Sequence, residues 1–461
     1  MVIGIWLPGC TPLSSLPIRF TAAVSPTATT TPTQSLPLVS SPTPSGFIQV
    51  NEERLQGVSI RLWHPYLGEL GASLERLAEE FSRVNQWKIF VESEAINGVD
   101  LLNERMKVAL TQGGLPDLVV APTYQALRWH EERSVLADWS SYIEDAQWGL
   151  PFSEQDQFYP NLWTGGQQEK LRWGIPARRV AQLLFYNASW AKEWGFDAAP
   201  ATLDEFKLQS CSVRGREGEE NEALAKGYLF THDYPTILAW FVAFGGSVFD
   251  PERQVYQFES EEVREALTYL RTLYEQGCTQ GGEDADPVGA FVHRQALFVP
   301  GSSGQLNLVS QTMKDEANLD RWTVLPFPTA DGEGIVVLYG TDFILIRSSP
   351  QKQLAAWLFV KWLLREENQY QLAKETLGLP LHKGAGEALK DDPDLLPEFR
   401  TAVGYLPLGV QEPLWASWDT VRWAVSDSSR QLVAWYFSLD QVASLVQLLE
   451  KTAADLHSRL P

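Results

Sequence analysis

Between Val58 and Ala121 the chain alternates between two hydrophobic periods, and that alternation narrows the possible folds more than any other feature. Val58-Ser59-Ile60-Arg61-Leu62 has the two-residue period of a strand. Leu70, Leu74, Leu77, Ala78 and Phe81 then fall on one face of a helix, with Glu75, Arg76, Glu79 and Glu80 opposite. Lys88 to Ser93 reads as a second strand and Leu101 to Leu110 has helical spacing. After Gly113-Gly114-Leu115-Pro116-Asp117, Leu118 to Ala121 is a short buried strand. Strands joined through helices pack into a mostly parallel sheet. Ligands of such sheets bind at the carboxyl ends of the strands. The loop after the first strand carries Trp63, His64, Tyr66 and Glu69, and the loop after the third begins at Tyr124 and Gln125.

A chain of 461 residues exceeds one ordinary hydrophobic core, so two domains or lobes are expected. The net charge of −21 argues against a nucleic-acid partner, which requires clustered Lys and Arg. No apolar run reaches the roughly 20 residues of a membrane-spanning helix. No G-x-x-x-x-G-K-[ST] loop occurs, which disfavours a nucleotide-binding enzyme. A glycoside hydrolase would need two carboxylates flanking one bond, and no recognisable signature pairs them. Eighteen tryptophans supply flat apolar faces suited to stacking on sugar rings, although large aromatic residues also fill cores.

Residues 1–10 are apolar up to Leu7-Pro8-Gly9-Cys10, a string that resembles a bacterial lipobox with Cys10 as the lipidated residue. Pro8 and the lack of Lys or Arg before Cys10 depart from that pattern. Residues 11–46 read as a disordered tether, because Thr, Ser or Pro fills 17 of the 26 positions from 21 to 46. The remaining cysteines, Cys211 and Cys278, form a disulfide if the chain is exported. Neither has metal-ligand spacing, so no metal and no cofactor is expected.

From Val58 to the C-terminus the order of short strings resembles the extracellular solute-binding proteins of ABC transporters, in the maltose-type and glycerol-3-phosphate-type branch. Leu62-Trp63-His64 with Gly68-Glu69-Leu70-Gly71 looks like that family's first strand-to-helix turn, and Leu115 to Val119 its third strand. Ile175-Pro176 through Tyr186-Asn187 looks like the crossing into a second lobe. Pro200-Ala201-Thr202-Leu203-Asp204-Glu205-Phe206 resembles a helix start, with Thr202 and Glu205 spaced as a capping box. Trp240 with Gly245-Gly246, Ala296-Leu297-Phe298 with Gly301-Ser302-Ser303-Gly304, and Tyr339-Gly340-Thr341-Asp342 follow in the family's order.

The resemblance implies an α/β, two-lobed periplasmic-binding-protein-like fold with a hinge and an interlobe ligand cleft. One lobe is expected at 47–174 plus 340–380, the other at 175–339 plus 381–461. It also implies a monomeric, extracytoplasmic lipoprotein that binds a carbohydrate and hands it to ABC permease subunits, with no catalytic residue. The expected ligand contacts, besides those after the first and third strands, are Arg178 and Arg179 on the crossing strand and Trp240, Ser302 and Ser303 in the second lobe. Tyr339, Gly340 and Asp342 join them at the return crossing, with Trp415, Trp418 and Arg422 near the C-terminus. Asp342 and Arg422 could equally form a structural ion pair. The second ligand class is a glycerophosphate ester, for which Arg422 and Ser302-Ser303 are suited. Against it, Ala177-Arg178-Arg179-Val180 stands where such members carry a Ser-Ser pair, so the neutral saccharide ranks first. A ligand-presenting sensor subunit would share every one of these strings.

Overall fold

The computed structural model describes residues 48–168, 170–213, 225–281 and 286–459. Cys10 and the tether at 11–46 lie outside them. Ten strands form one mixed sheet: β1 (Ser59–His64), β2 (Phe90–Ala95), β3 (Leu118–Ala121), β4 (Ile175–Asn187), β5 (Lys226–Phe230), β6 (Thr279–Gly281), β7 (Ala296–Ser302), β8 (Trp322–Leu325), β9 (Val336–Leu345) and β10 (Gly409–Gln411). The spatial order is β6-β5-β7-β4-β9-β3-β1-β2, with β8 also paired to β4 and β10 to β9.

At one end β1 runs parallel to both β2 and β3, as the strand–helix alternation requires. At the other end β5 is parallel to β6 and β7. The two long strands in the middle, β4 and β9, are antiparallel to each other and to their outer neighbours β7 and β3. The sheet is therefore mixed, with parallel pairs at both ends and one more where β10 runs beside β9. Each long strand belongs to one lobe over one half and to the other lobe over the rest. The chain crosses between lobes along them.

Helix α1 (Gly68–Val84) buries the expected stripe of Leu74, Leu77, Ala78 and Phe81 and leaves Arg76 and Glu79 in solvent. It packs beside α5 (Pro350–Leu363), whose Leu354 to Val360 are buried all round. Helices α2 (Val99–Gln112) and α3 (Thr123–Arg133) cover the opposite face of the first lobe, around Trp129, Met106 and Val119. In the second lobe α4 (Tyr234–Ala243), α6 (Trp418–Leu432) and α7 (Val442–Ser458) enclose a separate core around Trp240, Phe241 and Trp418. Thr202 caps the helix Leu203–Ser212 in a complete capping box with Glu205. Cys211, at the end of that helix, is disulfide-bonded to Cys278, next to β6.

Candidate cleft between the lobes

A cavity of about 620 Å³ opens beside the two crossing strands. Its floor is set by strand register. Gln182 of β4 and Tyr339 of β9 point to the same side, and the Tyr339 hydroxyl donates to Gln182 Oε1 at 3.0 Å. The Gln182 amide in turn donates to Thr236 Oγ1 at 2.8 Å, which holds the side chain upright. One wall is the loop Thr231-His232-Asp233-Tyr234-Pro235, at the carboxyl end of β5. Asp233 is the N-cap of α4, accepting from the Thr236 amide at 3.0 Å, and Pro235 pre-sets the first turn. Ser302, where β7 ends, Gln305 just after it, and Trp423, Ser426 and Arg430, on successive turns of α6, line it as well. Burial, with the nearby Asp233 carboxylate, pushes the Tyr339 phenol up, so it stays a donor at every physiological pH.

Beside this cavity the two lobes meet through an arginine. Arg422 Nη1, on α6, donates to the hydroxyl of Tyr124, on α3, at 2.6 Å. The guanidinium lies 4.9 Å from the Tyr124 ring centre and 5.4 Å from that of Tyr234, and Nη2 reaches Asp419 Oδ1 at 3.2 Å. A second contact runs parallel to it, Arg128 Nη1 to Asp419 Oδ2 at 3.0 Å. Behind Tyr234, Glu412 Oε2 accepts from the Tyr234 hydroxyl at 3.1 Å and from Trp418 Nε1 at 2.9 Å. Burial holds the Glu412 carboxyl above its ordinary range. Charge here is therefore internally committed, and hydroxyl, amide and aromatic surface is what remains on offer.

A smaller cavity of about 160 Å³ lies at the hinge, lined by Tyr124, Arg179, Gly340, Asp342 and Glu412 among others. Arg179 is buried and pairs with Asp342 at 2.5 Å, while its Nη1 donates to the Thr341 carbonyl at 2.6 Å. The other Asp342 oxygen accepts from Thr123 Oγ1 at 2.7 Å. Gly340 is required here. Its φ is +149°, and a Cβ would sit 2.2 Å from the Arg178 carbonyl oxygen on the neighbouring strand. The register shift in the β4–β9 ladder falls one residue on, between Thr341 and Asp342.

Among the expected contacts, Ser302 and Tyr339 line the large cavity, and Tyr124, Arg179, Gly340 and Asp342 line the hinge cavity. Arg422 bridges Tyr124 and Tyr234, and Trp418 supports Glu412 from the core. The alternative of an Asp342–Arg422 ion pair is not formed: Arg179 on the adjacent strand takes Asp342, and Asp419, one helical turn away, takes Arg422. The remainder lie elsewhere. Trp63 is buried with the Arg105 guanidinium 4.1 Å over its ring, and His64 and Gln125 are buried in the first lobe. Tyr66 is bonded to Thr341 and Glu69 is exposed on α1. Arg178 reaches the Thr376 carbonyl at 3.3 Å, and Ser303 accepts from the Ala181 amide at 3.1 Å. Trp240 is fully buried, its indole donating to the Tyr228 hydroxyl, because α4 turns that face into the core. Trp415 lines a different cavity.

Sequence reasoning missed Gln182, Asp233, Tyr234 and Glu412. For Asp233 and Tyr234 a signal existed: a strand, then Asp-Tyr-Pro opening a helix, is the same strand-to-helix turn recognised at Leu62 to Gly71. Glu412 carried none, since only the fold brings it behind Tyr234. Among the described residues no group of three or more His, Cys, Asp or Glu is placed to hold a metal, and no helix is long and apolar enough to cross a membrane.

The fold is that of known two-lobed sugar-binding proteins. The cyclic α-maltosyl-1,6-maltose binding protein of Arthrobacter globiformis superposes with a TM-score of 0.73 at 17% identity, over 87% of this chain and 99% of that one. The sugar-binding protein MalE of Xanthomonas citri gives 0.73 at 18% identity, over 87% and 98%. UgpB of Mycobacterium tuberculosis, solved with glycerophosphocholine, gives 0.67 at 15%, over 86% and 98%. In sequence, a binding protein of Brucella abortus is 20% identical over 294 residues, 62% of this chain and 67% of that protein. The family profile described as bacterial extracellular solute-binding protein matches residues 76–397, and the chain belongs to that family.

Proposed function

We propose that this protein is the substrate-binding component of an ABC importer, which captures a mono- or oligosaccharide between its lobes and delivers it to the permease. One observation carries the reading. The open cavity beside the crossing strands presents Tyr234, Tyr339 and Trp423 together with the hydroxyl and amide groups of Gln182, Ser302, Gln305 and Ser426. Aromatic faces stack on pyranose rings while these groups exchange hydrogen bonds with sugar hydroxyls, each contributing about 0.5–1.5 kcal/mol net. Arg422 is matched by Asp419 and bonded to Tyr124, which favours a neutral ligand over an anionic one. The similarity in fold to maltose-type binding proteins supports the same class.

Members of this family work outside the cytoplasm. In this reading Cys10 carries the lipid anchor, 11–46 is the tether, 47–174 with 340–380 and 175–339 with 381–461 are the two lobes, and the protein acts as a monomer without cofactor or catalysis. Glycerophosphate esters are the second ligand class, supported by the likeness to the UgpB fold.

The test is a thermal-shift screen against saccharides, polyols and glycerophosphate esters. A ligand that binds only the folded state at a hundredfold excess over its Kd stabilises it by about 2.7 kcal/mol. One saccharide series is expected to raise Tm, and Tyr234→Ala to remove the effect. A rise with phosphate esters alone would replace the first ligand class by the second.

A further inference from the structure

A second cavity, of about 320 Å³, lies at the other end of α4. The cleft is lined from the start of that helix, at Tyr234 and Pro235, whereas this hollow is lined from Leu238, Val242 and the turn at Gly246 to Phe249. Tyr234 and Ala243, the two ends of α4, are nine residues apart, roughly 14 Å at 1.5 Å per residue. This hollow shares no lining residue with the cavity at Tyr234 and Tyr339, and it borders the hinge cavity through Gln167, Gln411, Pro413 and Leu414. The remaining walls are Pro251 and Gln254, then Gln167 and Gln168 in the hairpin that precedes the first crossing strand, then Val410 and Gln411 of β10 with Pro413, Leu414 and Trp415 after it.

Its chemistry differs from that of the cleft. Among the described residues no charged side chain lines it, on a protein with a net charge of −21, whereas the cleft holds Asp233 and Arg430. Most of the wall is apolar, and half-buried Trp415 packs against Phe249 with ring centres 4.9 Å apart and a tilt of 35°. Glutamine amides supply the polar groups. Gln411 Nε2 donates to the Asn161 carbonyl at 2.7 Å, which fixes that amide and leaves Oε1 to accept. A volume at the lower end of ligand pockets, an aromatic wall and a few oriented amides select a single small ring.

We infer that this cavity is a second small-molecule site, separate from the cleft, for an uncharged aromatic ring bearing hydroxyl or amide groups. A charged ligand would lose its hydration without gaining a partner there. The hairpin at 167–168 belongs to the first lobe and α4 to the second, so an occupant touches both. Its binding is therefore coupled to lobe closure, and cleft ligand and occupant change each other's affinity by the same factor. The inference rests on the two-lobed fold and does not require that the cleft ligand be a carbohydrate.

The test uses the full chain and 4-hydroxybenzamide as probe, by isothermal titration calorimetry. One saturable equivalent is expected. Trp415→Ala should weaken it about tenfold through loss of the aromatic wall, and Tyr234→Ala should leave it unchanged. Gln168→Ala, in the half-exposed hairpin, provides a variant whose folding is not at stake and should weaken the probe as well. Absence of saturable binding to the unmodified protein overturns the inference. So does loss of the probe in Tyr234→Ala with retention in Trp415→Ala and Gln168→Ala, which would place it in the cleft.

Discussion

His64 was a candidate ligand contact by its position after the first strand, and burial has given it a structural place instead. Its ring is fully enclosed, 5.7 Å from Tyr66, with Nε2 3.6 Å from a Glu75 oxygen. Desolvation lowers its pKa from 6.5 to about 4. A depressed value means that the folded state prefers the neutral ring. The associated stability is present above about pH 6.5 and is lost as the pH falls through 4. Between pH 7.5 and 4.5 this group should remove about 2 kcal/mol of stability. Urea denaturation at the two pH values measures it, and His64→Gln should show a correspondingly smaller loss. An equal pH dependence in both proteins would assign the effect elsewhere. Other residues were legible from their strings: Tyr124 follows β3 and Ser302 ends β7, where chain order already places the loops, while Tyr339 lies inside β9. Trp240 was misleading because an aromatic residue at helical spacing carries no mark of which side will be covered.

The pair of crossing strands is the element on which the molecule turns. Its ladder places Arg179 and Asp342 side by side, each almost completely buried, with Thr123 as a third partner. Removing one member of such a pair leaves a charge without compensation, which costs about 3–5 kcal/mol, while an apolar replacement of both is much less harmful. Asp342→Ala should therefore lower the urea midpoint strongly, and Arg179→Met with Asp342→Leu should recover most of the loss. Equal destabilisation by the single and double variants would show that packing, and not charge, governs the site. The strands themselves were readable from the sequence. Their antiparallel pairing was not, because period reports which face is buried and says nothing of which strand will lie alongside.

At the scale of the whole molecule, α3 of the first lobe and α6 of the second are joined by Arg128–Asp419 and by Tyr124–Arg422. The half-buried Arg128–Asp419 ion pair contributes about 1 kcal/mol, and a hydrogen bond from a charged donor about 1.5–3. Together they bias the lobes toward contact by about tenfold or more, since 1.4 kcal/mol is a factor of ten. Small-angle scattering of the ligand-free double variant Arg128→Ala, Arg422→Gln should give a larger radius of gyration than the unmodified protein. Identical curves would mean that the two contacts do not hold the lobes together.

By itself the sequence determined the strand–helix alternation at 58–121, the buried face of α1, the capping box at Thr202 and the existence of two lobes. These follow from local periodicity and from chain length, both of which are written along one dimension. It also supplied Cys211 and Cys278, whose bond then joined the end of one helix to a strand edge. Only the tertiary structure decided that Asp342 belongs to Arg179, that Arg422 belongs to Tyr124 and Asp419, and that Glu412 stands behind Tyr234. Each of those contacts joins residues brought together by register or by packing of distant elements. Desolvation and charge pairing depend on such neighbours, and neither leaves a period in the chain.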